Sequence, residues 1–244
     1  MALYEMKYEN GMKISVSKGN NKIGKKVHTF NTLPGSSPIE TTTKGMLTSI
    51  KGTCHGCCEG TCENGGCYAI RDCKLHHNSV IPAVLKNTLI LRHDIDDCFN
   101  QLKEYCVNNK VEYFRVHSSG ELDSYEELEK LVWLANECPS IHFCIYTKRF
   151  EWVKQYLDTN KKFPENLAVN LSKWMDNMKD YMDIPDINIF AFDSGEDEEI
   201  KDWAVCPAVA KKPGAKKGYE TGVTCSQCLR CYRKGNTKTR VYNH

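Results

Sequence analysis

Fourteen cysteines in 244 residues, eight of them gathered into two short groups, constrain this chain more than any other feature. Whatever surrounds them, each group has to be brought together on loops. The first is Cys54, Cys58, Cys62 and Cys67, with Cys57 beside them, in GTCHGCCEGTCENGGCYA. The second is Cys206 followed well downstream by Cys225, Cys228 and Cys231, in CPAV…TCSQCLRCY. A Cys-x2-Cys-x2-Cys run sets three thiolates on one short loop, as ligands of a cubane cluster are set, and a distant Cys followed by Pro is its closing partner. The spacing predicts one [4Fe–4S] cluster at Cys206, Cys225, Cys228 and Cys231. It predicts a second metal site, again read as [4Fe–4S], at Cys54, Cys58, Cys62 and Cys67. Gly56, Gly60, Gly65 and Gly66 would let that backbone curl around a cube and aim amides at its sulfides.

Two other uses of cysteine compete. A disulfide framework belongs to small secreted domains, whereas this chain is long, and MALYEMKYENGMK offers no apolar core of a secretory signal. Zinc is the closer competitor, since four thiolates also close a tetrahedral site. Zinc knuckles usually come as two Cys-x2-Cys pairs, and the downstream group here is one plus three. Cys73, Cys98, Cys106, Cys138 and Cys144 stand singly in apolar or helical contexts and read as small buried hydrophobes.

A chain that is 41% hydrophobic can bury a core, and no run approaches 18 apolar residues, so no membrane span is expected and the setting is read as the cytoplasm. Net charge is +2 but uneven. Residues 176–202 are acidic and residues 211–240 basic, which makes the tail either a solvated face or a contact for nucleic acid.

Residues 1–50 carry short β-like runs (KISVS, VHTFNTL) between turn signals. After the first cysteine loop the pattern alternates. Helices are predicted over 79–92, capped by Ser79, and over 94–108; another is opened by a capping box of Ser124 with Glu127, and a short one spans about 149–157. VEYFRVH, IHFCIYT, NLAVNLS and INIFAF read as strands. Strands separated by helices predict parallel βα units in a single α/β domain over 1–244, as a partial barrel or an open, mostly parallel sheet with cysteine-rich N- and C-terminal loops. Its parts are a β-rich 1–50, a cysteine loop at 54–67, a βα core at 79–200 and a cysteine region at 206–244. Ligands in such folds collect at the carboxyl ends of strands. That rule selects His117 and Glu121 after the first core strand, Tyr146, Lys148 and Arg149 after the second, Asn170 to Ser172 with Trp174 after the third, and Asp193 to Gly195 after the fourth.

The segments GNNKIGKKVHTF, GTCHGCCEGTCENGGCYA, YFRVHSSGELDS, IYTKRFEWV, PENLAVNLSKW, CPAV…TGVTCSQCLRCY and the terminal VYNH together resemble the phage and prophage family called gene product 88, from about residue 14 onward. The resemblance places a ligand at Cys58 rather than Cys57 and implies a chain ending near a His, here His244. A looser similarity is to radical S-adenosylmethionine enzymes, through Cys67-Tyr68 and Ser119-Gly120-Glu121. It implies a partial barrel and S-adenosylmethionine as a cofactor. The spacing departs from that family's Cys-x3-Cys-x2-Cys: it is Cys58-x3-Cys62-x4-Cys67, with Cys54 able to fill the fourth iron's open site.

These residues support three functions as expectations. One is a redox or radical-type iron–sulfur enzyme acting on a small molecule. In it His117 handles a proton, Glu121 orients substrate, Tyr146 supplies a hydroxyl, and Lys148 with Arg149 holds an anionic group, with His244 nearby. The second is a non-catalytic electron-transfer or redox-sensing protein. The third is a zinc-stabilised module binding nucleic acid through the basic tail.

Overall fold

The computed structural model describes residues 5–20, 23–41, 45–57, 66–173, 181, 183–193, 198–209 and 223–242. Eight strands form an open sheet that does not close into a barrel. They are β1 (Val16–Ser17), β2 (Val27–Phe30), β5 (Tyr113–Val116), β6 (His142–Thr147), β7 (Leu167–Lys173), β8 (Asn188–Asp193), β9 (Ala204–Val205) and β10 (Lys238–Tyr242). Their order across the sheet is β1-β2-β5-β6-β7-β8-β10-β9. β1 pairs antiparallel with β2, while β6–β7, β7–β8, β8–β10 and β10–β9 are parallel. A separate antiparallel pair joins β3 (Glu40–Thr41) and β4 (Gly45–Met46). The helices are α1 (Tyr68–Leu75), α2 (Val80–His93), α3 (Ile95–Asn108), α4 (Tyr125–Glu137), α5 (Phe150–Asn160) and the single turn α6 (Cys225–Cys228).

The chain divides into two compact units. The first takes residues 1–17, 29–110 and 116–138, the second 18–28, 111–115 and 139–244. Two of their boundaries, at 28/29 and 115/116, fall inside β2 and β5, where no linker composition could mark them.

In the first unit, Leu33, Ile39, Leu47, Ile70, Cys73, Ile81, Val84, Leu85 and Leu89 make one core. The helical period of α2 puts Ile81, Val84, Leu85 and Leu89 on one face. Asn87 and Thr88 are buried in the same helix because each is fully employed: Asn87 exchanges bonds with the backbone of Ser15, and the Thr88 hydroxyl accepts from Leu33 N at 2.8 Å. Ser79 precedes α2 but does not cap it. It is itself helical at φ −116°, ψ −43°, and its hydroxyl donates to the His76 carbonyl, because α1 runs into α2 through a turn. Asp94 does cap α3, accepting from Asp97 N at 2.8 Å.

In the second unit the period of two along the strands sets Cys144 and Tyr146 on one face of β6. Register pairs them with Ala168 and Asn170 of β7. Ile23, Val27, Cys144, Ala168 and Tyr232 form a core there, with Tyr113, Tyr146, Cys225 and Leu229 packed against it.

Candidate metal centre

The C-terminal cysteines are gathered over that face of β6 and β7. α6 carries Cys225 and Cys228 one turn apart, and the Gln227 side chain accepts from Thr224 N at 2.8 Å to start the turn. Leu229 breaks it at φ +53°, in the left-handed region, so that the following 3₁₀ turn, Arg230–Tyr232, carries Cys231 back toward the sheet. Asn170 holds the segment down, its amide donating to the carbonyls of Ile145 and Cys231 at 3.1 Å each. Asn188 ties down the stretch from Arg233 to Thr237, donating to Arg233 O at 2.9 Å and accepting from the Thr237 hydroxyl at 2.6 Å. Cys206 is delivered by a bond from its N–H to Arg240 O of β10 at 2.9 Å.

Cys206, Cys225, Cys228 and Cys231 thus line one pocket, together with Cys144, Ile23, Val27, Arg115, Tyr146 and Tyr232. Burial pushes the Cys231 thiol up to about 11, although a bond from the Tyr146 hydroxyl and the nearby Arg115 charge pull the other way. Burial likewise raises Cys144 to about 12. A thiol at such values is a weak ligand until a metal displaces its proton, so loading this pocket would release protons. The donor set is sulfur throughout, which suits an iron–sulfur cluster or zinc. Among the described residues, no three His, Cys, Asp or Glu side chains converge tightly enough to hold a single metal ion. The four thiols border one pocket.

The first cysteine group is described only in part, since Cys58 and Cys62 lie outside the described residues. Cys54 is buried and locked to Gly35 by a reciprocal pair: Cys54 N–H donates to Gly35 O and Gly35 N–H donates to the Cys54 sulfur, both at 3.2 Å. Cys57 and Cys67 are partly exposed. The root of this loop is clamped by Arg92, which donates to Lys51 O and Gly52 O and, at 2.7 and 2.8 Å, to both carboxylate oxygens of Asp123. His55 adds a 2.6 Å contact to the same carboxylate. Burial alone would raise the Asp123 carboxyl, but the Arg92 and His55 contacts bring it below its usual range.

His117 and Glu121 belong to this first unit. His117 sits at φ +61° with a fully buried side chain, its Nε2 2.8 Å from Glu127 and its Nδ1 3.2 Å from the Thr32 hydroxyl. Burial disfavours the imidazolium, but the Glu127 charge and hydrogen bond, with Glu121 and Cys54 behind them, outweigh it and raise the His117 pKa. Glu121 accepts from Leu122 N at 2.9 Å, and its own N–H donates to the Thr53 hydroxyl. Both side chains are therefore engaged within a polar network of the interior. The Ser124–Glu127 capping box forms by half. Ser124 accepts from Glu127 N, but the Glu127 carboxylate is diverted to His117 and to Asp123 N.

Tyr146 and Lys148 belong to the second unit, where Tyr146 lines the thiol pocket and Lys148 is partly exposed. Lys148 is not among that pocket's lining residues, and Arg149 lies over the Trp152 ring, 4.9 Å from its centroid. His244, Trp174, Ser194 and Gly195 lie outside the described residues, as do residues 210–222 of the basic tail. Cys73, Cys98, Cys106 and Cys138 are buried as expected of core thiols. Cys144 is buried too, but it faces the other cysteines. The sequence does not single out Arg115, it marks Cys144 only as a buried thiol, and Asn170, selected as a strand end, ties Ile145 to Cys231. A charged residue alternating with Phe114 and Val116 in a short strand was the available signal for Arg115.

Fold and site together define a cysteine-rich α/β protein with a thiol-lined pocket against its sheet. The gene product 88 family model matches residues 14–237, and the chain belongs to that phage family. No curated protein and no solved structure matches it. No described helix is long and apolar enough to cross a membrane.

Proposed function

We propose that this protein is an iron–sulfur protein whose C-terminal pocket holds a [4Fe–4S] cluster through Cys206, Cys225, Cys228 and Cys231, and that it serves as an electron carrier or redox sensor. The observation that carries this reading is the delivery of those four thiols, from two separate stretches of chain, to one pocket. When bound, such a cluster supplies reversible one-electron chemistry. The chain's own contribution is to hold the ligands: α6 and the turn after it present three, Arg240 O fixes the backbone of the fourth, and Asn170 anchors Cys231. A second cluster at Cys54, Cys58, Cys62 and Cys67 is supported by the rigid root around Cys54. The Gly35 N–H already aimed at the Cys54 sulfur is the kind of bond that tunes a cluster. A carrier or sensor role suits the interior better than catalysis by His117 and Glu121, whose side chains are enclosed by Glu127, Thr32 and the backbone of Leu122.

The test is iron and sulfide analysis of anaerobically prepared protein with its absorbance near about 400 nm, where thiolate-to-iron charge transfer is expected. Two clusters predict about eight irons per chain and, in Cys228→Ser, loss of roughly half of them. Unchanged iron in that variant sinks the assignment. A colourless protein with stoichiometric zinc installs the zinc-stabilised reading, and a cluster spectrum perturbed by S-adenosylmethionine restores the enzyme.

A further inference from the structure

Tyr146 stands in the wall of the thiol pocket, and three neighbours fix its orientation. Phe190 meets its ring edge-on, with centroids 5.1 Å apart at 85°. The Arg115 guanidinium carbon lies over its face, 4.3 Å from the centroid. Its hydroxyl and the Cys231 thiol line the same pocket and act on each other's ionisation, the phenol favouring the thiolate as a donor would. All of these residues belong to the second unit. A cation over a phenol ring draws on its electron density, so the stacked guanidinium makes the hydroxyl a stronger donor. Arg115 also lines the pocket in its own right, with its charge toward Cys144 and Cys231. Among the charged side chains lining the pocket, Arg115 and Arg230 are both cations, and Arg230 is turned to the Val205 carbonyl at 3.5 Å.

Resting on the reading that Cys206, Cys225, Cys228 and Cys231 hold a cluster, we propose that Tyr146 and Arg115 are positioning residues that raise its reduction potential. Reduction moves one electron from an external one-electron reductant onto the cluster. No bond is made or broken, no proton moves, and one negative charge is added to the cluster with its thiolates. A hydrogen bond to a ligand sulfur and a fixed positive charge beside it both favour the more negative state. The cation–phenol stack couples the two, so that removing the guanidinium weakens the hydroxyl's bond as well.

The experiment uses the full chain carrying Cys58→Ser and Cys62→Ser, so that one cluster titrates. If that background does not fold, the natural chain is used and the wave that Cys228→Ser abolishes is followed. Tyr146→Phe, Arg115→Gln and Arg115→Lys are each analysed for iron and titrated with dithionite, reading the cluster's absorbance against potential. The expected result is unchanged iron in all three. The midpoint moves negative in Tyr146→Phe, further negative in Arg115→Gln, and less in Arg115→Lys, which keeps the charge but not the planar stack. Iron retained with unmoved or positive-going midpoints overturns the proposal and leaves the iron–sulfur reading standing. A shift in only one of Tyr146→Phe and Arg115→Gln overturns the coupled pair, and loss of iron from Tyr146→Phe makes Tyr146 structural and overturns its assignment. A parent chain that binds no iron takes down both readings.

Discussion

Replacing Glu127 removes the counter-ion of a histidine that has no other full charge in hydrogen-bond contact. The carboxylate is about 1% exposed, touches His117 Nε2 at 2.8 Å and accepts from Asp123 N at 2.7 Å. Glu127→Ala strands both donors in the interior, and breaking a buried pair in this way costs about 3–5 kcal/mol. Glu127→Gln is the sharper probe. Its amide oxygen can still serve Asp123 N and its NH₂ can donate to a neutral His117, whose other nitrogen then donates to Thr32. What is lost is charge assistance, about 1–2 kcal/mol. The pH dependence comes from the direction of the His117 shift. Its pKa is raised above 6.5 in the folded chain, so the pair contributes fully below about pH 6.5 and its contribution is lost as pH rises through the folded value. In that window the wild type loses stability at about 1.4 kcal/mol per pH unit from this group, while Glu127→Gln does not. The deficit of Glu127→Gln should therefore be largest in acid and shrink as pH rises. Urea unfolding of both proteins, prepared alike, over a pH series reads the difference directly, with Trp133 on α4 as a local reporter. A deficit that is constant or grows with pH refutes the charged pair, and an Ala variant within about 0.5 kcal/mol of wild type refutes its burial.

Gly120 is at φ +87°, and a Cβ there would lie 2.0 Å from the Thr32 hydroxyl and 2.8 Å from that of Thr53. Gly120→Ala should cost about 2–4 kcal/mol, as strain plus overpacking, and a denaturation midpoint matching wild type would show that the turn is built otherwise. Burial raises Cys73 and Cys106 to about 12, so near pH 8 only about one thiol in ten thousand is ionised. Iodoacetamide followed by mass spectrometry should leave both unmodified in the native chain and label them in urea; native labelling of either contradicts the core assignment.

How far the sequence went depends on the range of the interactions. α2, α3 and α4, and strands β5 to β8, arise from local period and were legible. α1 was not, because eight mixed residues, YAIRDCKL, come after a glycine-rich loop without a capping side chain. β10 was missed because KTRVY places Lys238 and Arg240 in an interior strand, which alternation alone argues against; Arg240 is accommodated by an ion pair with Asp193 at 3.0 Å. His117 stands out in the sequence as a polar strand end, but its partners Thr32 and Glu127 are 85 and 10 residues away, beyond the reach of local pattern. The three clustered C-terminal cysteines announced themselves by spacing, whereas Cys144 joined them only through the register of β6.

The placement of β10 bears on the order in which the molecule can be made. This strand comes after all the others in the chain, yet it lies between β8 and β9, with Lys238 to Tyr242 running beside Ile189 to Asp193. Until it leaves the ribosome, two neighbouring strands have no mate on that side, and Cys206 lacks the carbonyl that fixes its backbone. Cys225, Cys228 and Cys231 emerge just ahead of it, only about ten residues earlier. Before then, the thiols of Cys225, Cys228 and Cys231 have no fixed Cys206 beside them. Closing of the sheet and completion of the thiol ring are thus a single late event, and a polypeptide stopped before Lys238 would forfeit both together.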